Sequence, residues 1–230
     1  MSIAENIAQV RANIAAAARE AGREPGDILL VGASKMNDAA ACREAAAAGI
    51  DALGENRVQE MTAKLADHAY DGVPLHFIGH LQRNKVRQVV GKVSLIQSAG
   101  SAELLEEIEK AAAKLDLVQD ILLEVNIGRE EAKSGFLPEN LPSGGEKALS
   151  CKHLRVLGLM AIPPAGASRE ENLRYFDKVR ALFIDINEKM FHNGLQVLSM
   201  GMSGDYEDAV RSGATMVRVG SAIFGSRHYT

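Results

Sequence analysis

Short apolar runs alternate with helical segments along the whole chain, and this alternation constrains the fold more than any other feature of the sequence. Eight of these runs have the length and composition of strands. They are Ile28–Ser34, Asp51–Gly54, Leu75–Gly79, Val93–Gln97, Asp120–Asn126, Leu154–Ile162, Gln196–Met200 and Met216–Gly220. The runs are continuously apolar, as expected of parallel strands that are covered on both faces.

Helical segments follow most of the runs. We predict them at 37–48, 56–68, 82–90, 101–115, 168–191 and 205–212, with a short last turn at 221–225. A helix also precedes the first strand, because Ser2 and Glu5 have the spacing of a capping box ahead of an apolar stripe. The segment 139–149 is either a weak helix or a flexible loop, since Pro142, Gly144 and Gly145 oppose helix.

Eight strand and helix units in 230 residues predict a (β/α)8 TIM barrel with an extra N-terminal helix. An open, doubly wound parallel sheet is the alternative. The chain shows no linker, repeat array or low-complexity block, so we predict one domain over residues 1–230.

Charge and cysteine content exclude several classes of function. The net charge of -4 provides no strong field for nucleic acid or an anionic membrane. The basic run Arg83, Lys85 and Arg87 lacks interleaved aromatic residues and is typical of a solvated helix face. Cys42 and Cys151 belong to no CxxC or Cys/His cluster, so no metal site is predicted. Without a visible signal peptide or membrane-spanning run, the expected location is the cytoplasm.

Parallel barrels carry their functional sites at the carboxyl ends of the strands, so polar residues there are the candidates. In chain order they are Ser34 with Lys35, Glu55 with Asn56, His80, Gln97 with Ser98, Asn126, Ser199 with Ser203, and Arg218. A lysine at the end of the first strand is partly desolvated, which lowers its pKa and makes it a usable amine nucleophile. The alternative is that Lys35 is an ordinary surface charge.

The segments after the seventh and eighth runs predict a phosphate site. They read SMGMSG (199–204) and RVGS (218–221). Barrels commonly bind phosphate in these two loops, where glycines allow the backbone to approach and N–H groups point at the anion. Ser203 and Ser221 add hydroxyl donors. The alternative is that Ser203 only caps a helix and the glycines only form turns.

Arg218 lies within the last strand and requires a partner, either a carboxylate of the barrel or an aromatic nitrogen. The pyridine nitrogen of pyridoxal 5′-phosphate (PLP) commonly meets an Asp or an Arg. An amine on the first strand, a phosphate site after the last two strands and this arginine together fit one PLP molecule.

The sequence also resembles the pyridoxal-phosphate homeostasis proteins over nearly its whole length. The segments that carry the resemblance are LVGASK (30–35), GENRVQE (54–60), HFIGHLQRNKVR (76–87), EVNIGREEAKSGF (124–136), LGLMAIPP (157–164), LSMGMSGDYEDAV (198–210) and MVRVGSAIFGSR (216–227). It implies a barrel similar to the N-terminal domain of alanine racemase.

The resemblance also assigns residues to the cofactor. It makes Lys35 the Schiff-base lysine and Arg218 the partner of the pyridine nitrogen. It implies a phosphate cup of Ser199, Ser203, Gly220 and Ser221. Asn56 would line the cofactor ring. Lys133 would lie near the position where racemases place an arginine beside the phenolic oxygen.

The departures from alanine racemase shape the functional hypothesis. Alanine racemase has a second domain, which supplies a tyrosine base, and no counterpart of it is expected in this sequence up to Thr230. The ring-stacking histidine of the racemase corresponds to Ile162. We therefore expect a PLP-binding protein of PLP homeostasis and amino-acid balance, without catalytic residues or robust catalysis. PLP-dependent enzymes would be the recipients of the cofactor, and a monomer is expected.

Two other functions remain open. One is a single-domain PLP-dependent amino-acid racemase, in which His80 or Lys133 would be the second base that racemisation requires. The other is a barrel that binds phosphate but not PLP.

Overall fold

The computed structural model describes residues 2–225. Its eight parallel strands form a closed barrel in which each strand pairs with the next and β8 pairs with β1. The strands are β1 Leu29–Ala33, β2 Ala52–Glu55, β3 Leu75–Phe77, β4 Leu95–Ala99, β5 Gln119–Val125, β6 Leu154–Ala161, β7 Val197–Ser199 and β8 Met216–Val219. The predicted (β/α)8 barrel is confirmed, and the open sheet is wrong. The predicted domain ends, Met1 and residues 226–230, lie outside the described residues, as do the last two residues of the segment 216–227.

The helices surround this barrel. They are α1 Ile3–Glu20, α2 Ala39–Ala47, α3 Val58–Ala66, α4 Ala102–Lys114, α5 Leu141–Leu149, α6 Arg169–Lys189, α7 Tyr206–Arg211 and α8 Ser221–Phe224. The predicted capping box of α1 is present, since Ser2 and Glu5 each accept a hydrogen bond from the other's backbone N–H. This extra helix packs against α7 and α8 and buries Ile7, Val10 and Ile14.

The helix predicted at 82–90 is wrong in type, because the chain forms a 3-10 helix at Arg83–Gln88. The backbone hydrogen bonds show the difference. The Lys85 N–H donates to the Gln82 carbonyl at 2.9 Å, and the Val89 N–H donates to the Val86 carbonyl at 3.0 Å. In both bonds the acceptor lies three residues before the donor, which is the spacing of a 3-10 helix.

The segment 139–149 is a helix rather than a loop. Pro142 lies in the first turn of α5, where its missing N–H costs nothing. Gly144 is buried against the ring of Phe136, and a Cβ atom there would lie 2.8 Å from that ring. The residues that disfavour helix locally are therefore the ones that allow α5 to pack.

The barrel interior contains an apolar cluster and a polar, hydrogen-bonded chain. The apolar cluster consists of Val31, Ala52, Leu95, Leu122, Met160 and Met216. The side chains of His76, Gln97, Ser199 and Arg218 form a buried, hydrogen-bonded chain in the interior. Because all strands are parallel, their carboxyl ends share one rim. None of the described helices combines the length and apolar character needed to cross a bilayer.

Candidate functional site

A cavity of about 450 Å³ opens at the carboxyl ends of β1, β7 and β8. Five predicted site residues line it: Lys35, Ser203, Arg218, Gly220 and Ser221. They come from opposite ends of the sequence, and the pairing of β8 with β1 brings them together. In that pairing Val31 is in register with Arg218. The closed barrel therefore places the candidate amine and the candidate phosphate loops in one cavity.

Ser203 joins the two loops of the predicted phosphate site. Its Oγ atom accepts hydrogen bonds from the backbone N–H groups of Gly220, at 3.0 Å, and Ala222, at 3.4 Å. The N-cap of α7 is Asp205, so Ser203 does not cap that helix. With its oxygen engaged as an acceptor, the hydroxyl proton of Ser203 can be donated to a ligand in the cavity.

Arg218 is held by a chain of hydrogen bonds across the barrel interior. Its Nη1 atom donates to the hydroxyl of Ser199, and its Nη2 atom donates to the Ala161 carbonyl at 3.0 Å. The Ser199 hydroxyl donates to Gln97 Oε1 at 2.7 Å. Gln97 Nε2 lies 3.0 Å from His76 Nδ1. Because an amide nitrogen only donates, His76 accepts at Nδ1 and carries its proton on Nε2.

Burial dominates the electrostatics of this chain. It lowers the pKa of His76 to about 4, so the imidazole is neutral at neutral pH. It also lowers the pKa of Arg218 to about 10, with an opposing effect from the charges of Glu124 and Asp205. Arg218 is only 3% exposed, and its hydrogen bonds within the described chain go to neutral acceptors. A buried guanidinium of this kind provides a strong donor to any acceptor in the cavity.

Ser199 has different contacts from those that the resemblance implies. It was expected in the phosphate cup, but it is fully buried and does not line the described cavity. As the last residue of β7 it points into the barrel, where it links Arg218 to Gln97. Its contribution to the site is therefore to hold Arg218.

Asn56 and Lys133 line a neighbouring cavity of about 530 Å³ at the ends of β2, β3, β5 and β6. Asn56 Oδ1 is buried and has no hydrogen-bond partner in residues 2–225. Lys133 forms an ion pair with Glu130 at 2.5 Å and donates to the Pro163 carbonyl at 3.3 Å. The structure thus distributes the predicted site residues over two cavities on the same rim.

Glu124 is a residue of this second cavity that the sequence reasoning missed. Its carboxylate accepts a hydrogen bond from the Ser134 hydroxyl at 3.0 Å. Burial raises its pKa, against the opposing effects of Ser134, His80, Arg218 and Lys133. The available signal was strand alternation, because Glu124 lies two residues after Leu122, which faces the interior.

Asn126, the strand-end candidate of β5, lines the same cavity and also organises the following loop. Its side chain bonds the Glu130 backbone N–H and the carbonyls of Glu130 and Lys133.

Known proteins are similar to this chain over nearly its whole length. The family described as the N-terminal domain of alanine racemase matches residues 6–228. A protein of Aquifex aeolicus named pyridoxal phosphate homeostasis protein is 42% identical over 229 residues, which cover 100% of both chains. A protein of the same name from Pseudomonas aeruginosa is also 42% identical, over 99% of this chain and 97% of that one.

A solved structure shows that this similarity extends to the fold. PipY of Synechococcus elongatus PCC7942, determined with PLP bound, superposes with a TM-score of 0.85 at 33% sequence identity. The match covers 97% of this chain and 100% of PipY. The chain therefore belongs to the pyridoxal phosphate homeostasis proteins, within the family of the alanine racemase N-terminal domain.

Proposed function

We propose that this protein holds PLP as a Schiff base on Lys35 and takes part in cytoplasmic PLP homeostasis and amino-acid balance, without robust catalysis. The observation that carries the proposal is the single cavity lined by Lys35, Ser203, Arg218, Gly220 and Ser221. Family membership supports it, because the relatives are named for PLP homeostasis and PipY was solved with PLP.

The residues of this cavity fit the three reactive parts of PLP. Lys35 offers an amine to the aldehyde. The hydroxyls of Ser203 and Ser221 and the backbone around Gly220 suit the phosphate. Arg218 offers a guanidinium to the pyridine nitrogen. The cavity volume of about 450 Å³ is within the usual range of small-molecule sites. In the neighbouring cavity, the orphaned Oδ1 atom of Asn56 supplies a further acceptor.

Arg218 also supports the absence of robust catalysis. Bound PLP supplies an electrophilic aldehyde and, when its pyridine nitrogen is protonated, a strong electron sink. An arginine donates a hydrogen bond to that nitrogen and does not provide a counter-charge for its protonated form. The neutral hydrogen-bond chain through Ser199, Gln97 and His76 fixes the orientation of this guanidinium. This site therefore suits storage of the cofactor better than chemistry on an amino acid.

The proposed role involves other proteins only as recipients of PLP. These recipients would be PLP-dependent enzymes. We retain the single domain and the monomer as predictions, which size-exclusion chromatography with light scattering can measure.

The test is the visible absorption spectrum of the protein titrated with PLP, followed by borohydride reduction and peptide mapping. We expect a Schiff-base band in the wild type, with the reduced label on Lys35, and no such band in Lys35→Ala. Lys152→Ala removes an exposed lysine and is the matched control. A missing band in the wild type, or a label spread over other lysines, would favour a barrel that binds phosphate without PLP.

Racemisation is a second candidate, because His80 and Lys133 line the cavity that also contains Glu124. Exchange of the α-proton of amino acids with D2O, measured by NMR, distinguishes the two functions. The storage function predicts no exchange above that caused by free PLP. Rapid exchange that disappears in Lys35→Ala would establish an enzyme.

A further inference from the structure

The turn that carries Lys35 contains a residue in an unfavourable backbone conformation. Met36, the next residue, has a φ of 63°. Residues other than glycine rarely adopt this left-handed region, because their Cβ atom crowds the backbone. Such strain persists only where the surrounding structure imposes it, and it clusters at ligand sites. Two charged side chains that contact this turn lie on α3.

Two side chains of α3 hold the backbone on both sides of Lys35. Lys64 Nζ donates to the Ser34 carbonyl at 2.8 Å, and the carboxylate of Glu60 accepts a hydrogen bond from the Met36 N–H. Glu60 and Lys64 lie four residues apart on one helix face and form an ion pair at 2.9 Å. The residues before and after Lys35 are thus fixed by charged groups of a single helix.

A third charged residue anchors this pair from β2. Glu55 is fully buried and Lys64 is 6% exposed, and their ion pair measures 2.8 Å. The same carboxylate oxygen of Glu55 accepts hydrogen bonds from the Ser34 hydroxyl, at 2.6 Å, and from the Tyr70 hydroxyl, at 3.0 Å. A buried ion pair is weak evidence for stability, since apolar residues of similar size often pack as well. What this ion pair contributes here is a fixed position for Lys64, which holds the Ser34 carbonyl.

We propose that Glu55, Glu60 and Lys64 form a turn clamp that positions Lys35 by imposing the left-handed conformation of Met36. The clamp residues do not line the described cavity, so they act on the cofactor through the turn. They are positioning residues, and their role rests on the proposed function of Lys35 as the PLP anchor.

The test compares four variants with the wild type in a PLP titration followed by absorption. Glu60→Ala removes the acceptor of the Met36 N–H, whereas Glu60→Gln keeps an oxygen there. Gln59→Ala, an exposed neighbour in the same turn of α3, is the matched control. Glu60→Ala combined with Met36→Gly tests the mechanism directly, because glycine adopts positive φ without a steric cost.

We expect Glu60→Ala to raise the Kd for PLP by about tenfold, the effect of losing one hydrogen bond to a charged group. Glu60→Gln should restore most of the affinity, and Gln59→Ala should match the wild type. Met36→Gly should recover affinity in the Glu60→Ala background, which a loss of general stability would not allow. In the PLP-free protein, hydrogen exchange of the Met36 amide should accelerate in Glu60→Ala only.

Two results would overturn the clamp while leaving the PLP site in place. One is a wild-type Kd in Glu60→Ala, and the other is an equal loss of affinity in Glu60→Ala and Glu60→Gln that Met36→Gly leaves unchanged. Absence of the Schiff-base band in the wild type and in Gln59→Ala would instead reject the proposed function, and the clamp's role with it.

Discussion

The guanidinium of Arg218 on β8 donates a hydrogen bond to the hydroxyl of Ser199 on β7, inside the closed barrel. Both residues are buried, and the Ser199 hydroxyl donates a hydrogen bond to Gln97 Oε1. Because the arginine is buried, the orientation of its remaining N–H groups depends on these neutral acceptors. The direction in which Arg218 can donate to a ligand at the rim is therefore set by Ser199 and Gln97 in the barrel interior.

Replacing Ser199 with alanine should destabilise the protein. The change leaves a buried N–H of Arg218 and the Oε1 atom of Gln97 without their partner, at a cost of about 1–3 kcal/mol. Equilibrium unfolding in urea measures this loss. Ser143→Ala removes an exposed hydroxyl and should change the free energy of unfolding by no more than about 0.5 kcal/mol. Equal stability of the two variants would contradict a supporting role for Ser199.

Replacing Ser203 with alanine should weaken PLP binding through the phosphate. The change removes the hydroxyl that joins Gly220 to the loop after β7, and we expect the Kd for PLP to rise about tenfold. Titration with pyridoxal, which lacks the phosphate, provides the control, and its Kd should stay the same. An equal loss for both ligands would place the phosphate elsewhere.

Replacing Glu124 with glutamine should change how stability depends on pH. The folded state raises the pKa of this carboxyl above its ordinary 4.5, mainly through burial, so the folded protein binds the proton more tightly than the unfolded chain. This contribution favours folding at low pH and declines as the pH rises from 4.5 through the raised pKa. In Glu124→Gln that decline should be absent.

Urea unfolding at several pH values between about 4 and 7 measures this difference. Glu131→Gln, a change of an exposed carboxylate, is the control and should keep the wild-type profile. A profile for Glu124→Gln that parallels the wild type would mean that Glu124 does not contribute to the pH dependence.

Replacing Gly79 with alanine should disturb the segment that holds Asn56. A Cβ atom at Gly79 would lie 2.2 Å from the Asn56 carbonyl oxygen, so the backbone must shift, at a cost of about 1–3 kcal/mol. Gly26→Ala is the matched control, because its Cβ atom would have no neighbour within 4 Å. Thermal unfolding of both variants measures the difference, and similar melting temperatures would contradict the close approach.

The strand and helix pattern determined the fold class, because eight apolar runs with intervening helices leave few ways to bury both faces of a parallel sheet. It also predicted the end of the barrel at which the candidate site lies. Lys35, Ser203, Gly220 and Arg218 could be named from their places after strands, since the carboxyl ends of parallel strands share one rim. The capping box at Ser2 and Glu5 was a local signal of the same kind.

The tertiary structure decided what depends on contacts between residues distant in the sequence. Closure of β8 on β1 brings Lys35 to the candidate phosphate loops, and the packing of Phe136 against Gly144 turns an unfavourable segment into α5. Ser199 accepts a hydrogen bond from Arg218, Glu124 lines the second cavity, and Lys64 donates to the Ser34 carbonyl. Sequence periodicity specifies the face on which a side chain lies, whereas its partner is specified only when the barrel closes and buries them together.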